Sequence, residues 1–578
     1  MTPPGDEVPR FERRFFDPAQ RISRIGDGAL GGKARGLVTA ARVLEKRRAE
    51  LETPGLRLDV PALAVVATDA FDAFLDRNGL RPFVAEEPGD AALALAFQKA
   101  SLPAELVGDL RALAGSARVP LACRSSSALE DALGRPFAGV YGTKMIPGNQ
   151  ADTTSRFRAL ADAIKFVYAS AFSSAARAYR RAAGATPEPE KMAVVVQETV
   201  GRRHDGRFYP DLSGVARSYS FYPLGPASPE DGTVDLAVGL GKTIVDGGLV
   251  WTFSPAHPRV GPPVGSARER LATTQTALWA VNVGPPPPYD PMAEAEFLVP
   301  ASLADAESDG TLRYAASTYD ADADRLVPGT GRPGPRVLDF APVLVWEELP
   351  LVPLLRRLLP ACEDELGAPV EIEFALSLEP GGPGRFGFLQ VRPLLVTHEA
   401  VEVTAREMAS AVVASDAALG NGREAVRDVV YVEPEAFEPR ATPEVAAEIE
   451  RLNRALVDEG RPYLLVGFGR WGSSDPWLGI PVRWDQIAGA RGLVEATLPH
   501  MSPEPSQGSH FFHNLSSFSV LYFTVSHARG PAIDWAWLAS QTTVARTARV
   551  RHVRTDRPLV LKVDGRTRRG VALRPEGT

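Results

Sequence analysis

Apolar and polar residues alternate in two runs that flank a glycine- and proline-rich connection, VEIEFALSLEPGGPGRFGFLQVRPL, at residues 370–394. This pattern predicts a strand–turn–strand pair. Alternate side chains of a strand share a face, so Glu371 and Glu373 lie together on the first strand. Gln390 and Arg392 lie together on the second strand for the same reason. If the strands pair, oxygen ligands for a hard cation such as Mg²⁺ meet a guanidinium that suits phosphate. The alternative is an edge hairpin with solvated polar residues.

The same kind of pattern predicts further elements along the chain. An apolar strand is expected at 62–66, followed by a helix that starts near Thr68. Residues 151–184 have helical spacing, and MAVVVQETV at 192–200 is typical of a buried strand. The region 251–345, rich in glycine, proline and aspartate, predicts long loops with sparse strands.

Size and composition bound the class of protein. A chain of 578 residues with 44% apolar and 23% charged residues is expected to fold into several domains. The net charge of −7 and the pI near 5.8 give no reason to expect a nucleic-acid partner. Two cysteines, Cys123 and Cys362, exclude a disulfide framework and a cysteine-based zinc site. We expect a cytoplasmic protein without a signal peptide or a membrane span, because no apolar run approaches about 20 residues.

Lysine is rare beside arginine, and two lysines lie in glycine-rich turns that can cradle phosphate. These are Lys33 in GGKARG and Lys242 in GLGKT. Arg124 leaves an apolar strand and precedes three serines, and FAG at 137–139 and Thr143 follow. Arginine, hydroxyl groups and glycine together suit an anion. The alternatives are a plain turn before a helix at GGKARG and a solvated strand-to-loop turn after Arg124.

Taken in order, these fragments resemble one known domain. GGKARG, VPALAVVATDAFDAFL, RSSSALED with FAG, MAVVVQETV, SGVA, GLGKTIVDG, EIEFA and LQVRP are similar to the ATP-binding domain of phosphoenolpyruvate synthase and pyruvate phosphate dikinase. The resemblance covers roughly residues 20–396. It implies an α/β (α+β) fold with a two-lobed, ATP-grasp-type domain and a smaller α/β C-terminal domain. The expected boundaries are 1–20 for a flexible arm, 21–200 for the N-terminal lobe, 201–396 for the grasp lobe, 397–459 for a helical linker and 460–578 for the C-terminal domain. A phosphohistidine-like domain is one interpretation of this last segment.

The resemblance also implies roles for individual residues. The nucleotide would contact Lys33 and Arg124 at the phosphates and Gln197, Glu198 and Val200 at the adenine pocket. Glu373 would bind Mg²⁺, with Gln390 as a second ligand or a phosphate contact. Arg392 would stabilise the phosphoryl group during transfer. Glu371 stands where the family usually has aspartate.

Two departures from the family affect the expected function. The family's GLGE is GLGK here, so Lys242 replaces a carboxylate; it either neutralises triphosphate charge or is a plain surface lysine. About 180 residues follow the ATP-binding region, fewer than the roughly 200–250 of a (β/α)₈ barrel. We therefore expect no pyruvate-binding barrel in this chain, and a protein partner that supplies the missing domain is compatible with that.

The acceptor of the phosphate is the open question at this stage. His510, in QGSHFFHN, resembles the family's carrier histidine only loosely; His513 is an alternative, and a structural histidine at a helix start is another. GFGRWGSSDPWLGIP at 467–481 is either a ligand-binding loop or a packed turn with Trp471 and Trp477 in the core.

The sequence thus supports two functional hypotheses. The first is an ATP- and Mg²⁺-dependent phosphotransferase of the dikinase type that uses Arg392 and His510, or a small-molecule acceptor. The second is an ATP-binding regulatory or adaptor protein with reduced catalysis, which the Lys242 change and the loose histidine motif favour.

Overall fold

The computed structural model of the protein describes residues 8–17, 20–127, 141–182, 191–220, 226–246, 248–261, 267–272, 274–379, 381–394, 401–472, 479–498, 520–527 and 533–575. These residues form two compact units. The described part of the N-terminal unit comprises 8–173 and 191–394, with the gaps given above. The described part of the C-terminal unit comprises 174–182 and 401–575.

A five-stranded sheet forms the first layer of the N-terminal unit. Its strands in spatial order are Ile22–Ile25, Leu63–Val66, Met192–Glu198, Leu121–Ser127 and Thr143–Ile146. The valines in Met192–Glu198 are buried on both faces of the sheet, and the strand pairs antiparallel with a neighbour on each side. The predicted strand at 62–66 and the helix starting at Thr68 are confirmed by Leu63–Val66 and Thr68–Arg77.

A six-stranded sheet carries the predicted hairpin. Its strands in spatial order are Trp251–Phe253, Thr233–Ala237, Leu212–Arg217, Val370–Ser377, Gly384–Pro393 and Leu56–Asp59. Its apolar face packs on the helix Leu351–Leu366, where Leu354 and Leu358 share a core with Ile372 and Phe374. The last strand, Leu56–Asp59, comes from the predicted N-terminal lobe and pairs in parallel with Gly384–Pro393. The first 200 residues therefore contribute strands to both the five-stranded and the six-stranded sheet.

The region 251–345 is more regular than its composition predicted. It contributes to a four-stranded sheet, with the order Leu298–Ser302, Ala277–Asn282, Arg207–Tyr209 and Arg202–His204. It also contains a three-stranded sheet, with the order Arg325–Pro328, Ala316–Asp320 and Arg336–Leu338. These strands are short and are separated by turns, which is why their pattern is weak in the sequence.

Helices complete the N-terminal unit. They are Gly31–Lys46, Arg48–Leu51, Thr68–Arg77, Leu80–Ala85, Asp90–Lys99, Ala104–Ser116, Thr153–Ser170, Lys242–Val245, Ala267–Ala272, Leu303–Ser308, Ala341–Leu344 and Leu351–Leu366. The helical pattern predicted at 151–184 is divided into Thr153–Ser170 and Ser174–Ala182, and the second piece belongs to the C-terminal unit.

The C-terminal unit is built on a nine-stranded sheet. Its main path is Val413–Ser415, Arg569–Leu573, Val550–Asp564, Gly422–Val432, Tyr463–Phe468, Ala490–Ala496, Leu521–Val525 and Ala417–Leu419, and Thr542–Arg546 pairs with Val550–Asp564. The two end strands of this path are separated by one residue in the chain, so the edges of the sheet meet there. Ser415 donates to the Thr524 carbonyl across that junction at 2.6 Å. The helices are Ser174–Ala182, Ala405–Ser410, Thr442–Asp458 and Trp535–Ser540, and a small sheet pairs Arg470–Trp471 with Gly479–Ile480.

Residues 401–459 differ from the predicted helices and linker. Helices Ala405–Ser410 and Thr442–Asp458 are present, but the strands Val413–Ser415, Ala417–Leu419 and Gly422–Val432 lie between them. Gly422–Val432 pairs on both sides, antiparallel with Val550–Asp564 and parallel with Tyr463–Phe468. Pairing with Tyr463–Phe468, 35 positions away, and with Val550–Asp564, more than a hundred positions away, overrides the local pattern here.

In the described part of the chain, no helix has the length and apolar character needed to cross a bilayer. Cys123 and Cys362 are both buried free thiols, and burial raises the pKa of each to about 12.

Candidate functional site

The predicted hairpin forms, and its polar residues face one another. Val370–Ser377 and Gly384–Pro393 pair antiparallel, with Glu373 opposite Gln390 and Glu371 opposite Arg392. The hairpin is not an edge, because strands pair with it on both outer sides. Gln390 is 1% exposed and Arg392 is 6% exposed, so solvation does not explain these polar side chains.

Arg124 joins the five-stranded sheet to this hairpin. Its Nη2 lies 2.7 Å from Glu373 Oε2 and 2.7 Å from Gln390 Oε1, and its Nη1 donates to the Leu389 carbonyl at 3.0 Å. Burial by itself raises the pKa of Glu373, but the charges of Arg124 and Arg392 outweigh burial and hold that pKa below its ordinary value. The carboxylate is therefore ionised and already compensated.

Lys33 lies in the first turn of the helix Gly31–Lys46, and its Nζ is 3.1 Å from Ser125 Oγ. Gly31 has φ +77°, and a Cβ there would lie 2.0 Å from the Ser126 carbonyl oxygen. At Gly36 a Cβ would lie 2.3 Å from the Val391 carbonyl oxygen. Glycine thus allows the helix to approach the strands that carry Arg124 and Gln390.

The three serines after Arg124 are buried, which rules out the solvated turn. Ser126 accepts from the Ala34 backbone N–H at 3.1 Å and donates to the Leu30 carbonyl at 2.8 Å. Ser126 therefore fixes the start of the helix that carries Lys33. FAG at 137–139 lies outside the described residues.

Sequence reasoning placed Glu371 and Arg392 on the hairpin face but missed the two residues that extend this cluster, Arg217 and Asp235. Arg217 Nε donates to Glu371 Oε2 at 2.6 Å, and Arg217 Nη1 donates to Asp235 Oδ2 at 2.8 Å. Arg392 donates to the other oxygen of Glu371. The only sequence signal was a charged residue inside each of two apolar strands, SGVAR and VDLAV.

Three residues are implied at the adenine pocket. Gln197 and Glu198 end the strand Met192–Glu198, and Val200 lies two residues beyond it. Gln197 is 2% exposed, and its Nε2 has no hydrogen-bond partner among the described residues. The Glu198 carboxylate accepts from both terminal nitrogens of Arg385 at 2.8 Å. Val200 is buried against Gly387. Gln197 thus offers a buried donor, whereas Glu198 is occupied by an ion pair.

Lys242 begins the short helix Lys242–Val245 rather than lying in a turn. Its Nζ is 2.9 Å from Asp246 Oδ2 and 5.7 Å from the centre of the Trp279 ring. Another carboxylate, Glu294, accepts from the Thr143 backbone N–H at 3.1 Å. Desolvation raises the pKa of Glu294, against the attraction of Lys242 and Lys33. Two carboxylates, Asp246 and Glu294, therefore lie within electrostatic reach of Lys242.

Lys144 anchors the loop that carries Glu294. Lys144 Nζ donates to the carbonyls of Pro291 and Ala293 at 2.9 and 2.8 Å and forms a 2.7 Å ion pair with Glu296. Both charged side chains are less than 5% exposed. This buried pair fixes the loop beside Thr143, which pairs with Arg124 in the five-stranded sheet.

In the C-terminal unit the predicted histidines are not testable. His510 and His513 lie outside the described residues, as does Trp477. Trp471 is 1% exposed, its backbone N–H donates to Glu495 at 2.8 Å, and its indole donates to the Val494 carbonyl. For Trp471 the packed turn is therefore the correct alternative.

The oxygens of Glu373 and Gln390 fit a hard cation. Both lie within 2.7 Å of one nitrogen of Arg124, so they already face one common position. Gln390 Nε2 is buried and has no hydrogen-bond partner among the described residues; as a donor it suits a phosphate oxygen rather than the cation. No cluster of three or more potential metal ligands of the His, Cys, Asp or Glu types occurs in the described ranges. This small oxygen set is typical of Mg²⁺, which keeps most of its ligands from water and phosphate.

A mixed α/β unit with these facing residues belongs to a known class of nucleotide-binding protein. The family model described as "Pyruvate phosphate dikinase, AMP/ATP-binding domain" matches residues 28–412, and the chain belongs to this family. The resemblance predicted from the sequence is thereby confirmed. Rifampicin phosphotransferase of Streptomyces sviceus is 30% identical over 279 residues, which are 44% of this chain and 28% of that relative. The chain thus matches little more than a quarter of that relative's length.

Proposed function

We propose that the protein is an ATP- and Mg²⁺-dependent phosphotransferase of the dikinase type, with ATP held in a two-lobed, ATP-grasp-type arrangement. The observation that carries the proposal is the bridge from Arg124 to Glu373 and Gln390. It places a guanidinium, a carboxylate and an amide from two sheets at one point. Family membership adds that an AMP/ATP-binding domain surrounds this point.

The charged side chains of this site are paired with one another. Arg124 is paired with Glu373, and Arg392 is paired with Glu371. Binding of a triphosphate with a divalent cation would exchange these partners. The guanidiniums would turn to phosphate oxygens, which they bind bidentately, and the Glu373 carboxylate would turn to the cation.

Glu373 and Gln390 would hold the Mg²⁺ ion, whose chemistry is to neutralise the charge of the phosphate oxygens. Lys33, at the start of a 16-residue helix, would contact the phosphates together with backbone N–H groups. Lys242 would add a second ammonium, and Gln197 would meet the adenine.

Arg392 would act on the transferred phosphoryl group, because charge compensation dominates the catalysis of phosphoryl transfer. A bond forms between the acceptor atom and phosphorus while the bond from phosphorus to the bridging oxygen breaks. In a dikinase-type reaction a second phosphoryl group passes to water or to another acceptor, which leaves AMP. The acceptor would be His510 or a small molecule, and the name of the Streptomyces relative favours testing small molecules. The buried, reduced cysteines favour a cytoplasmic site of action.

The test is incubation of the full chain with Mg²⁺ and ATP labelled at the β or γ position. We expect AMP rather than ADP, and an acid-labile phosphoprotein that is lost in His510→Ala if histidine is the acceptor. Arg392→Ala should abolish turnover while the melting temperature shift on ATP binding persists. Absence of nucleotide hydrolysis under all acceptor conditions would overturn the proposal.

The rival function is an ATP-binding regulatory or adaptor protein. The observation that favours it is Lys242, which stands where the family has a carboxylate and is engaged by Asp246. This rival predicts a melting temperature shift with ATP, but no release of AMP or ADP and no labelled protein. The same incubation therefore separates the two functions.

A further inference from the structure

A line of alternating charges crosses the polar face of the six-stranded sheet. It runs from Asp235 through Arg217 and Glu371 to Arg392, which lie on four neighbouring strands. The two oxygens of Glu371 are divided between the two guanidiniums, Oε1 to Arg392 and Oε2 to Arg217. At the Asp235 end of the line, Thr252 on the next strand donates to Asp235 Oδ1 at 2.6 Å.

Stability alone is a weak reason for this arrangement. The side chains of Arg217 and Glu371 are 7% and 2% exposed. Buried ion pairs lose in desolvation much of what they gain in attraction, and apolar residues of similar volume are often as stabilising. A sheet face that carries four such charges is therefore better explained by a role in the adjacent site.

The inferred role of this line of charges rests on the proposed function, in which Arg392 contacts a phosphate of ATP. Arg392 has to leave Glu371 in order to contact a phosphate. A bare carboxylate left behind in the buried sheet face would be strongly unfavourable, because its charge would be desolvated without a partner. Arg217 stays on the other oxygen of Glu371, so the carboxylate remains compensated when Arg392 turns away.

We propose that Arg217, held by Asp235, is a positioning residue that keeps Glu371 neutralised and so releases Arg392 to the phosphates of ATP. One further observation agrees with this role. Arg217 Nη2 is buried and has no hydrogen-bond partner among the described residues. The guanidinium therefore retains a donor that can follow the carboxylate when Arg392 leaves. Asp235 balances the charge of Arg217 and fixes its plane from the neighbouring strand.

The test measures nucleotide affinity and not only activity. AMP lacks the outer phosphates and does not need Arg392, whereas ATP does, so the ratio of their affinities reports on the release of Arg392. Removing Arg217 alone would leave Asp235 as an uncompensated buried charge. The variant is therefore Arg217→Met with Asp235→Leu, which removes both charges and keeps volume in the core.

We expect this double variant to fold and to bind AMP with an affinity within threefold of wild type. Its preference for ATP over AMP should fall at least tenfold, because Arg392 remains held by Glu371. Adding Arg392→Met, together with Glu371→Gln so that no bare carboxylate is left buried, should cause no further fall, since Arg217 acts through Arg392. A control removes the ion pair between Arg336 of the three-stranded sheet and Glu307 of the helix Leu303–Ser308, as Arg336→Met with Glu307→Leu. That control should leave the ratio unchanged.

The outcomes separate this inference from the proposed function. If wild-type protein binds neither nucleotide, the proposed function fails and the inference falls with it. If wild type prefers ATP and the folded double variant keeps that preference, the inference is wrong while the proposed function stands. Independent, additive losses from the double variant and from Arg392→Met would also overturn it. Circular dichroism and the melting temperature establish whether each variant is folded.

Discussion

Arg124 and Glu373 lie in different sheets, and a 2.7 Å ion pair joins them within the N-terminal unit. Their side chains are 15% and 20% exposed, so the pair is accessible enough to exchange partners but too enclosed to be fully screened by water. Such a pair holds the two sheets together. Under the proposed function its guanidinium would turn to phosphate and its carboxylate to a metal ion.

Replacing Arg124 should therefore impair nucleotide binding. We expect Arg124→Met to weaken ATP binding by about 10- to 100-fold, because a charge-assisted hydrogen bond contributes roughly 1.5–3 kcal/mol. Isothermal titration calorimetry with Mg²⁺ and ATP measures this. Arg111→Met is the matched control, because Arg111 lies on the same unit and packs over the Phe157 ring. Unchanged ATP affinity in a folded Arg124 variant would contradict the assignment.

Neutralising Glu373 should have a different effect. Glu373→Gln removes the carboxylate that occupies Arg124, so ATP should bind at least as tightly as to wild type when Mg²⁺ is chelated. Addition of Mg²⁺ should then increase the affinity less than it does in wild type, since one of the two oxygen ligands has lost its charge. Titrations with and without Mg²⁺ measure both effects.

The control for this prediction is Glu105→Gln, which changes an exposed glutamate in the helix Ala104–Ser116. The gain in ATP affinity on addition of Mg²⁺ should match wild type in that variant. An equal gain in Glu373→Gln would show that Glu373 is not a ligand of the cation.

Substitutions of Lys242 and of Asp246 should change ATP affinity in opposite directions, because the two side chains form an ion pair at 2.9 Å. If Lys242 faces the triphosphate, Lys242→Met should lower the affinity for ATP about threefold or more and leave the affinity for AMP nearly unchanged. Asp246→Asn should raise the affinity for ATP, since the ammonium is then released. Both effects should decrease at high salt. A plain surface lysine predicts no change in either variant, so a competition assay decides between the alternatives.

Local signals were sufficient for the hairpin. Period-2 alternation predicted that Glu371 and Glu373 share a face, and the glycine-rich connection predicted that Gln390 returns opposite them. Both conclusions depend on residues close together in the chain.

Contacts between distant residues could not be predicted in this way. Arg217 is 154 residues from Glu371 and 18 residues from Asp235, and only the order of strands in the sheet brings them together. Gly422–Val432 is a strand for the same reason, because its partners on both sides lie elsewhere in the sequence. Reasoning from short windows finds the turn and the alternation, but not the neighbours that a sheet supplies.

The C-terminal unit contains a buried charge whose protonation should affect stability. Asp428 is 1% exposed; its Oδ1 accepts from Arg554 at 2.8 Å and lies 2.8 Å from His552 Nε2, and its Oδ2 accepts from Arg461 at 2.7 Å. Burial alone raises the pKa of Asp428, but hydrogen bonds from these three side chains outweigh burial and lower it to about 2. The ordinary value is 3.8.

A depressed carboxyl pKa stabilises the folded state above the ordinary value, and that stability is lost as the pH falls through the folded value. We therefore expect Asp428 to contribute about 2 kcal/mol at pH 6 and progressively less between pH 5 and pH 2. Calorimetric unfolding of wild type and Asp428→Asn across this range measures the difference, which should be largest near pH 6 and shrink toward pH 2. Asp458→Asn, an exposed position on the helix Thr442–Asp458, should show no such dependence. A difference between wild type and Asp428→Asn that stays constant with pH would show that the carboxylate charge is not what stabilises this unit.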